Sequence, residues 1–123
     1  MNNYPEHFDH MLAAWNERDL DKVRGHLEKA VTSDVHFVDP ANDVTGIDAF
    51  VEMVHEFRQK LVPEGVCSRA SGVDGHHGLY RYDWAIHSEG DLVTVGFDTV
   101  ITNDAGMISK VYGFFGPLPE KDA

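Results

Sequence analysis

The segment Gly78-Leu79-Tyr80-Arg81-Tyr82-Asp83-Trp84-Ala85-Ile86-His87-Ser88-Glu89-Gly90-Asp91-Leu92-Val93-Thr94-Val95-Gly96-Phe97-Asp98-Thr99-Val100-Ile101-Thr102 decides the fold class. Two runs rich in β-branched and aromatic residues flank Glu89-Gly90, a pair suited to a tight hairpin turn. The pattern predicts strands over 78–87 and 92–102. Reading outward, a third run covers 107–115 beyond Asp104-Ala105-Gly106, and a fourth covers 66–73 ahead of Asp74-Gly75. Together they read as an antiparallel meander of long strands. In the first run Tyr80, Tyr82, Trp84 and Ile86 share one face, while Arg81, Asp83 and His87 share the other. The aromatic face is the expected pocket lining, which sends Arg81 and Asp83 to the outer side.

The N-terminal half has a different period. Phe8, Met11, Leu12 and Trp15 recur at helical spacing over 5–16, with Pro5 suited to a first turn and Glu6 to the positive helix end. Asp19 can cap a second, shorter helix whose inward face is Leu20, Val23, Leu27 and Val31, although Gly25 weakens it. A short strand is expected over 34–39, then a turn through Pro40, Asn42 and Asp43. Thr45 and Asp48 resemble a capping box for a third helix that presents Ile47, Phe50, Val51, Val54, Phe57 and Leu61 and stops at Pro63 and Gly65. The expected architecture is α+β: three N-terminal helices packed on a curved antiparallel sheet. No repeat, linker or low-complexity tract interrupts it, so 1–123 reads as a single domain with a loose tail at 117–123.

The chain has 123 residues, 42% of them hydrophobic, enough for one sizeable core. Ten Lys and Arg stand against 21 Asp and Glu, a net charge of −11, and the basic residues form no patch able to neutralise phosphates. Nucleic acid and anionic membranes are therefore poor partners. Eight histidines make that charge sensitive to mild acid. Cys67 is the only cysteine, which excludes an internal disulfide or a Cys-based zinc cage and suits a reducing compartment. With no basic and apolar leader pattern over 1–10 and no apolar run of membrane-spanning length, a cytoplasmic location is the expectation.

Four stretches arrive in a telling order: Ala14-Trp15-Asn16-Glu17-Arg18-Asp19-Leu20-Asp21, Val35-His36-Phe37-Val38-Asp39-Pro40, Gly46-Ile47-Asp48-Ala49-Phe50, and Gly106-Met107-Ile108 through Gly113-Phe114-Phe115-Gly116. In this order they resemble the NTF2-like superfamily, in particular its SnoaL-like and ketosteroid-isomerase-like members, over nearly the whole chain. The resemblance implies a cone-shaped α+β barrel wrapped around a pocket, commonly dimerising through the outer sheet face. It does not select one chemistry, since the superfamily holds isomerases, polyketide cyclases, dehydratases, epoxide hydrolases and binding domains.

Within that resemblance, Asp39 matches the general base of ketosteroid isomerases and Asp98 their protonated oxyanion donor, a pairing that needs two carboxyls in different environments. The helix position of the isomerase tyrosine holds Met11, so Tyr4, Tyr80, Tyr82 or Tyr112 would have to supply that donor. A turn role for Asp39, and a salt bridge from Asp98 to Arg81 or Lys110, are the bland alternatives. Arg81-Tyr82-Asp83 resembles the Arg-x-Asp element of limonene-epoxide hydrolases, but Gly113 stands where their second aspartate belongs. Trp15, His36, Tyr82, Trp84 and Phe114 are the expected pocket lining. His7, His10 and the adjacent His76-His77, expected to point opposite ways, form no metal-ligand arrangement. Cys67 reads as a small buried apolar residue. The expectation is a homodimeric, cofactor-free and metal-free isomerase or cyclase that moves a proton on a small apolar carbonyl or polyketide-like compound; the alternative is a non-catalytic ligand-binding or interaction domain.

Overall fold

The computed structural model describes residues 4–122, so Met1–Asn3, part of the leader reading, lie outside the described residues. Helix α1 (His7–Asn16) buries Phe8, Met11 and Ala14, and α2 (Leu20–Glu28) buries Val23 and Leu27. Asp19 caps α2 by accepting the Asp21 N–H at 3.0 Å. Val31 does not extend α2: it opens strand β1 (Val31–Asp39), which is longer than its alternating pattern indicated. A tight turn at Pro40-Ala41 leads into β2 (Asn42–Thr45), a strand that replaces the expected loop. Thr45 lies in β2 and caps nothing. Helix α3 (Ile47–Glu56) starts instead from Gly46, whose φ of 92° only glycine adopts readily, and it carries no side-chain cap. Phe50, Val51, Met53 and Val54 face the core, but the chain widens into a π-turn at Phe57–Leu61 that leaves Leu61 exposed.

The second half supplies β3 (Gly65–Arg69), β4 (Asp74–His76), β5 (Leu79–Ser88), β6 (Asp91–Thr102) and β7 (Ile108–Phe115). Glu89-Gly90 makes the expected turn, with both residues at positive φ. Asp74-Gly75 does not: these residues pair with β5, and the tight turn falls at His77-Gly78, again with two positive φ values. The sheet order is β2-β1-β7-β6-β5-β3, with β4 pairing beside β5. All pairs are antiparallel except β1 with β7, so the sheet is mixed. That parallel pair folds the N-terminal strand against the C-terminal one and curves the sheet around the helices. Phe8, Leu27, Phe50, Val54, Val100, Ile108 and Val111 fill the layer between, in an α+β fold. Among the described residues no helix is long and apolar enough to cross a membrane.

Candidate functional site

An apolar cavity of about 270 Å³ lies between α1, α3 and the concave sheet face. Phe8, Met11 and Trp15 of α1 meet Phe37 of β1 and Phe57 of the π-turn on one side; Tyr82 and Trp84 of β5 close the other. Trp15 packs edge-on to Phe57, with ring centroids 5.3 Å apart. Strand alternation decides which polar groups enter. On β6, Gly96, Asp98 and Val100 share the inner face, so Asp98 enters an otherwise apolar strand surface.

Antiparallel pairing sets Tyr82 directly opposite Asp98 and Trp84 opposite Gly96. The Tyr82 hydroxyl donates to Asp98 Oδ2 at 3.1 Å, and the Trp84 indole N–H donates to Oδ1 at 3.0 Å. Glycine at 96 is required for this, because a Cβ there would collide with the Trp84 ring and the Phe114 carbonyl. Burial pushes the Asp98 carboxyl up to about 6, against the two hydrogen bonds, and the Asp39 charge adds to the rise. The same burial, then Asp98, holds the Tyr82 hydroxyl well above its usual range, so it remains a donor. Neither salt-bridge alternative for Asp98 occurs: Arg81 pairs with Asp74 on the outer surface.

Asp39 lines the cavity and also builds the turn, since its Oδ1 accepts the Ala41 N–H at 2.8 Å and the Asn42 amide at 3.0 Å. The turn role expected of this residue is present, and its position at the cavity is compatible with it. Asp39 and Asp98 flank Gly113, where a Cβ would stand 2.7 Å from Asp98 Oδ1 and 3.5 Å from Asp39 Cβ. The glycine at this position therefore makes room for the Asp98 carboxyl. Cys67 also lines the cavity; burial pushes its thiol up to about 11, which keeps it protonated and poorly nucleophilic.

Trp15, Tyr82, Trp84, Asp39 and Asp98 thus come together around one space, and His36 and Phe114 do not. His36 alternates with the inward Val35 and Phe37, so it faces outward, where it contacts Asp43 at 2.8 Å and Tyr112 at 3.3 Å. Phe114 is likewise outward, stacked on Phe97 with centroids 4.9 Å apart, and its neighbour Phe115 lines the cavity instead. Arg81 and Asp83 are exposed on the outer face, on the side of the strand opposite Tyr82, the partner of Asp98. His76 and His77 do not diverge; their Nδ1 atoms are 3.1 Å apart at the exposed turn.

Three residues that hold the cavity had no sequence signal. Asn16 clasps the Cys67 backbone, donating to its carbonyl at 2.8 Å and accepting its N–H at 2.7 Å, which ties α1 to β3. Buried Arg58 donates to the Pro63, Gly65 and Trp15 carbonyls and so anchors the π-turn at the cavity wall. Arg69 reaches from β3 to Tyr4 and Asp9.

The SnoaL-like domain family matches residues 8–111. The chain belongs to the SnoaL-like family. A SnoaL-like protein from Agrobacterium tumefaciens str. C58, with a provisional isomerase assignment, is 33% identical; the match covers 90% of this chain and 95% of that one, with a TM-score of 0.84. A provisional polyketide cyclase from Sinorhizobium meliloti shares the fold at 13% identity and a TM-score of 0.71, over 90% of this chain and 95% of its own. So does a protein with a ketosteroid isomerase-like fold from Catenulispora acidiphila DSM 44928, solved in complex with trimethylamine, at 12% identity and a TM-score of 0.73 over 93% and 88% of the two chains. No curated protein matches the chain.

Proposed function

We propose that this SnoaL-like protein transfers a proton on a small apolar carbonyl compound, as an isomerase or cyclase that uses its side chains alone. One observation carries the reading: a buried carboxyl, Asp98, is set in an apolar cavity between two fixed donors and titrates at about 6. An acid with its pKa near working pH is the efficient carrier of a catalytic proton. At pH 7 most Asp98 is ionised, so it accepts the proton from the carbon beside the carbonyl and returns it elsewhere. Tyr82 and Trp84 hold the carboxylate in place, while Asn42 and Ser68 bring neutral donors to the cavity for the substrate oxygen. This exchanges the roles that the ketosteroid-isomerase resemblance implied, where Asp39 is the base and Asp98 the protonated donor. The proximity of Asp39, which raises Asp98, favours that second arrangement below pH 6. The working assembly we propose is a homodimer joined through the outer sheet face.

Deuterium incorporation beside the carbonyl of cyclic enones and β-diketones, followed by NMR from pH 5 to 8, tests both arrangements. With Asp98 as base, exchange rises through about pH 6 to a plateau, and Asp98→Asn loses roughly 100-fold or more. With Asp98 as neutral donor, exchange falls through the same range, Asp98→Asn keeps much of it, and Asp39→Asn loses it. Absence of exchange on every compound at every pH leaves the non-catalytic binding domain as the better reading.

A further inference from the structure

The charges around the cavity favour a ligand that carries a cationic group over a neutral one of the same shape. Asp39, Glu56 and Asp98 line it, and among the described residues the one cationic side chain in the lining is Arg69. That guanidinium is already spent on the Asp9 carboxylate and the Tyr4 hydroxyl. The Cys67 thiol and Tyr82 hydroxyl are neutral, each pushed up by burial, and no histidine lines the space. Asp39 and Asp98 face each other across Gly113 without a cation between them, and the Asp98 hydrogen bonds come from two neutral groups. A ligand with no cationic group, carbonyl or otherwise, leaves this negative charge uncompensated; one that also carries a cation relieves it in a low-dielectric space, where the attraction is strongest.

We infer that the cavity takes a small hydrophobic amine in its cationic form, with the ammonium between Asp39 and Asp98 and the hydrocarbon against Trp15, Phe37 and Phe57. The inference deepens the proposed function, in that it rests on this cavity being the ligand site and names a charge for the ligand. Size limits the ligand as well. A space of 270 Å³ equals about nine water volumes, enough for one six-membered ring and a small substituent. The net charge of −11 draws cations toward the whole molecule, so a specific site must show itself above that background.

The test uses the full chain at pH 7.5 with three probes of one shape: cyclohexylamine, cyclohexanol and cyclohexanecarboxylate. Binding is followed by Trp15 and Trp84 fluorescence and by calorimetry. The amine should bind at least tenfold more tightly than the alcohol, and the carboxylate most weakly. Asp39→Asn and Asp98→Asn should each cut the amine-to-alcohol preference at least threefold. The inference is overturned if amine and alcohol bind alike in the unaltered protein, a comparison that needs no variant to fold. It is also overturned if the preference survives both substitutions, since the amine then answers only to overall charge. Carbonyl exchange without amine preference would sink this inference and leave the proposed function standing; amine preference without exchange would do the reverse.

Discussion

Two hydrogen bonds pull Asp98 toward its ionised form and burial pushes it toward its neutral one; burial wins, and the carboxyl moves from 3.8 to about 6. The unfolded chain gives up this proton first, so the folded state is favoured below about pH 4 and loses that advantage as pH rises through 6. A shift of that size corresponds to about 3 kcal/mol. Asp98→Asn removes the titration. Denaturant unfolding of both proteins should therefore show the stability difference moving in favour of asparagine between pH 4 and 7, by up to about 3 kcal/mol, and flat above that range. A difference that does not vary with pH would mean that Asp98 is not the buried acid described here. At Gly113 the expected outcome is steric. Gly113→Ala places a methyl 2.7 Å from Asp98 Oδ1, so the carboxyl must shift and the Trp84 hydrogen bond weakens. Indole fluorescence should then lose its titration near pH 6 while far-UV circular dichroism stays native. The family resemblance singled out Asp98 in the sequence, but its partners depend on strand register, which no local pattern reveals. Tyr82 was one of four candidate tyrosines, and only the pairing of β5 with β6 selects it.

Among the elements, the π-turn at Phe57–Leu61 sets one wall of the cavity, and Arg58 holds it. Its guanidinium bonds three carbonyls from the chain ends it joins, Trp15, Pro63 and Gly65. Arg58→Met keeps the volume and removes every donor, leaving buried carbonyls unpaired at about 1–3 kcal/mol each. A loss of roughly 3 kcal/mol or more in unfolding free energy is expected. Arg58→Lys should recover only part of it, since one ammonium lacks the fork that reaches all three. A neutral Arg58→Met variant would show that the π-turn holds itself. The helix pattern of 47–61 was legible; the widened last turn was not, because the Arg58 bonds to the Trp15, Pro63 and Gly65 carbonyls that accompany it form only in the folded chain. Alternation told the two faces of β5 apart, with Tyr82 and Trp84 set against Arg81 and Asp83. In β7 the same rule was available, since Phe114 keeps the parity of exposed Lys110 and Phe115 that of buried Val111, but two adjacent aromatic residues masked it. The misplacement of His36 is of the same kind, for its outward face was readable from Val35 and Phe37. Strand β2 is a local hairpin partner of β1 that was read as part of the turn, whereas the parallel pairing of β1 with β7 exists only once the chain closes on itself, and no short-range signal announces it.

For the whole molecule, the outer sheet face carries exposed Leu79, Val93, Val95 and Phe114, with Phe97 stacked on Phe114. Such a face, uncovered by any helix, is the physical basis for the proposed homodimer. A stable dimer of this kind needs on the order of 800 Å² from each copy. Each copy also brings a net charge of −11, so association must overcome repulsion that salt screens over about 10 Å. Added salt also strengthens apolar burial when the anion is sulfate. Sedimentation equilibrium at tens of micromolar should accordingly report twice the 13.8 kDa chain mass, with association tightening as ionic strength rises. Phe97→Lys combined with Phe114→Lys should give a folded monomer with its cavity intact, because neither side chain enters it. Tightening with salt marks an apolar contact working against charge; loosening with salt would mean that complementary ion pairs, such as those around Arg81, hold the copies together. A wild-type protein that stays monomeric at every salt concentration would remove the dimer and leave this apolar face open to some other partner.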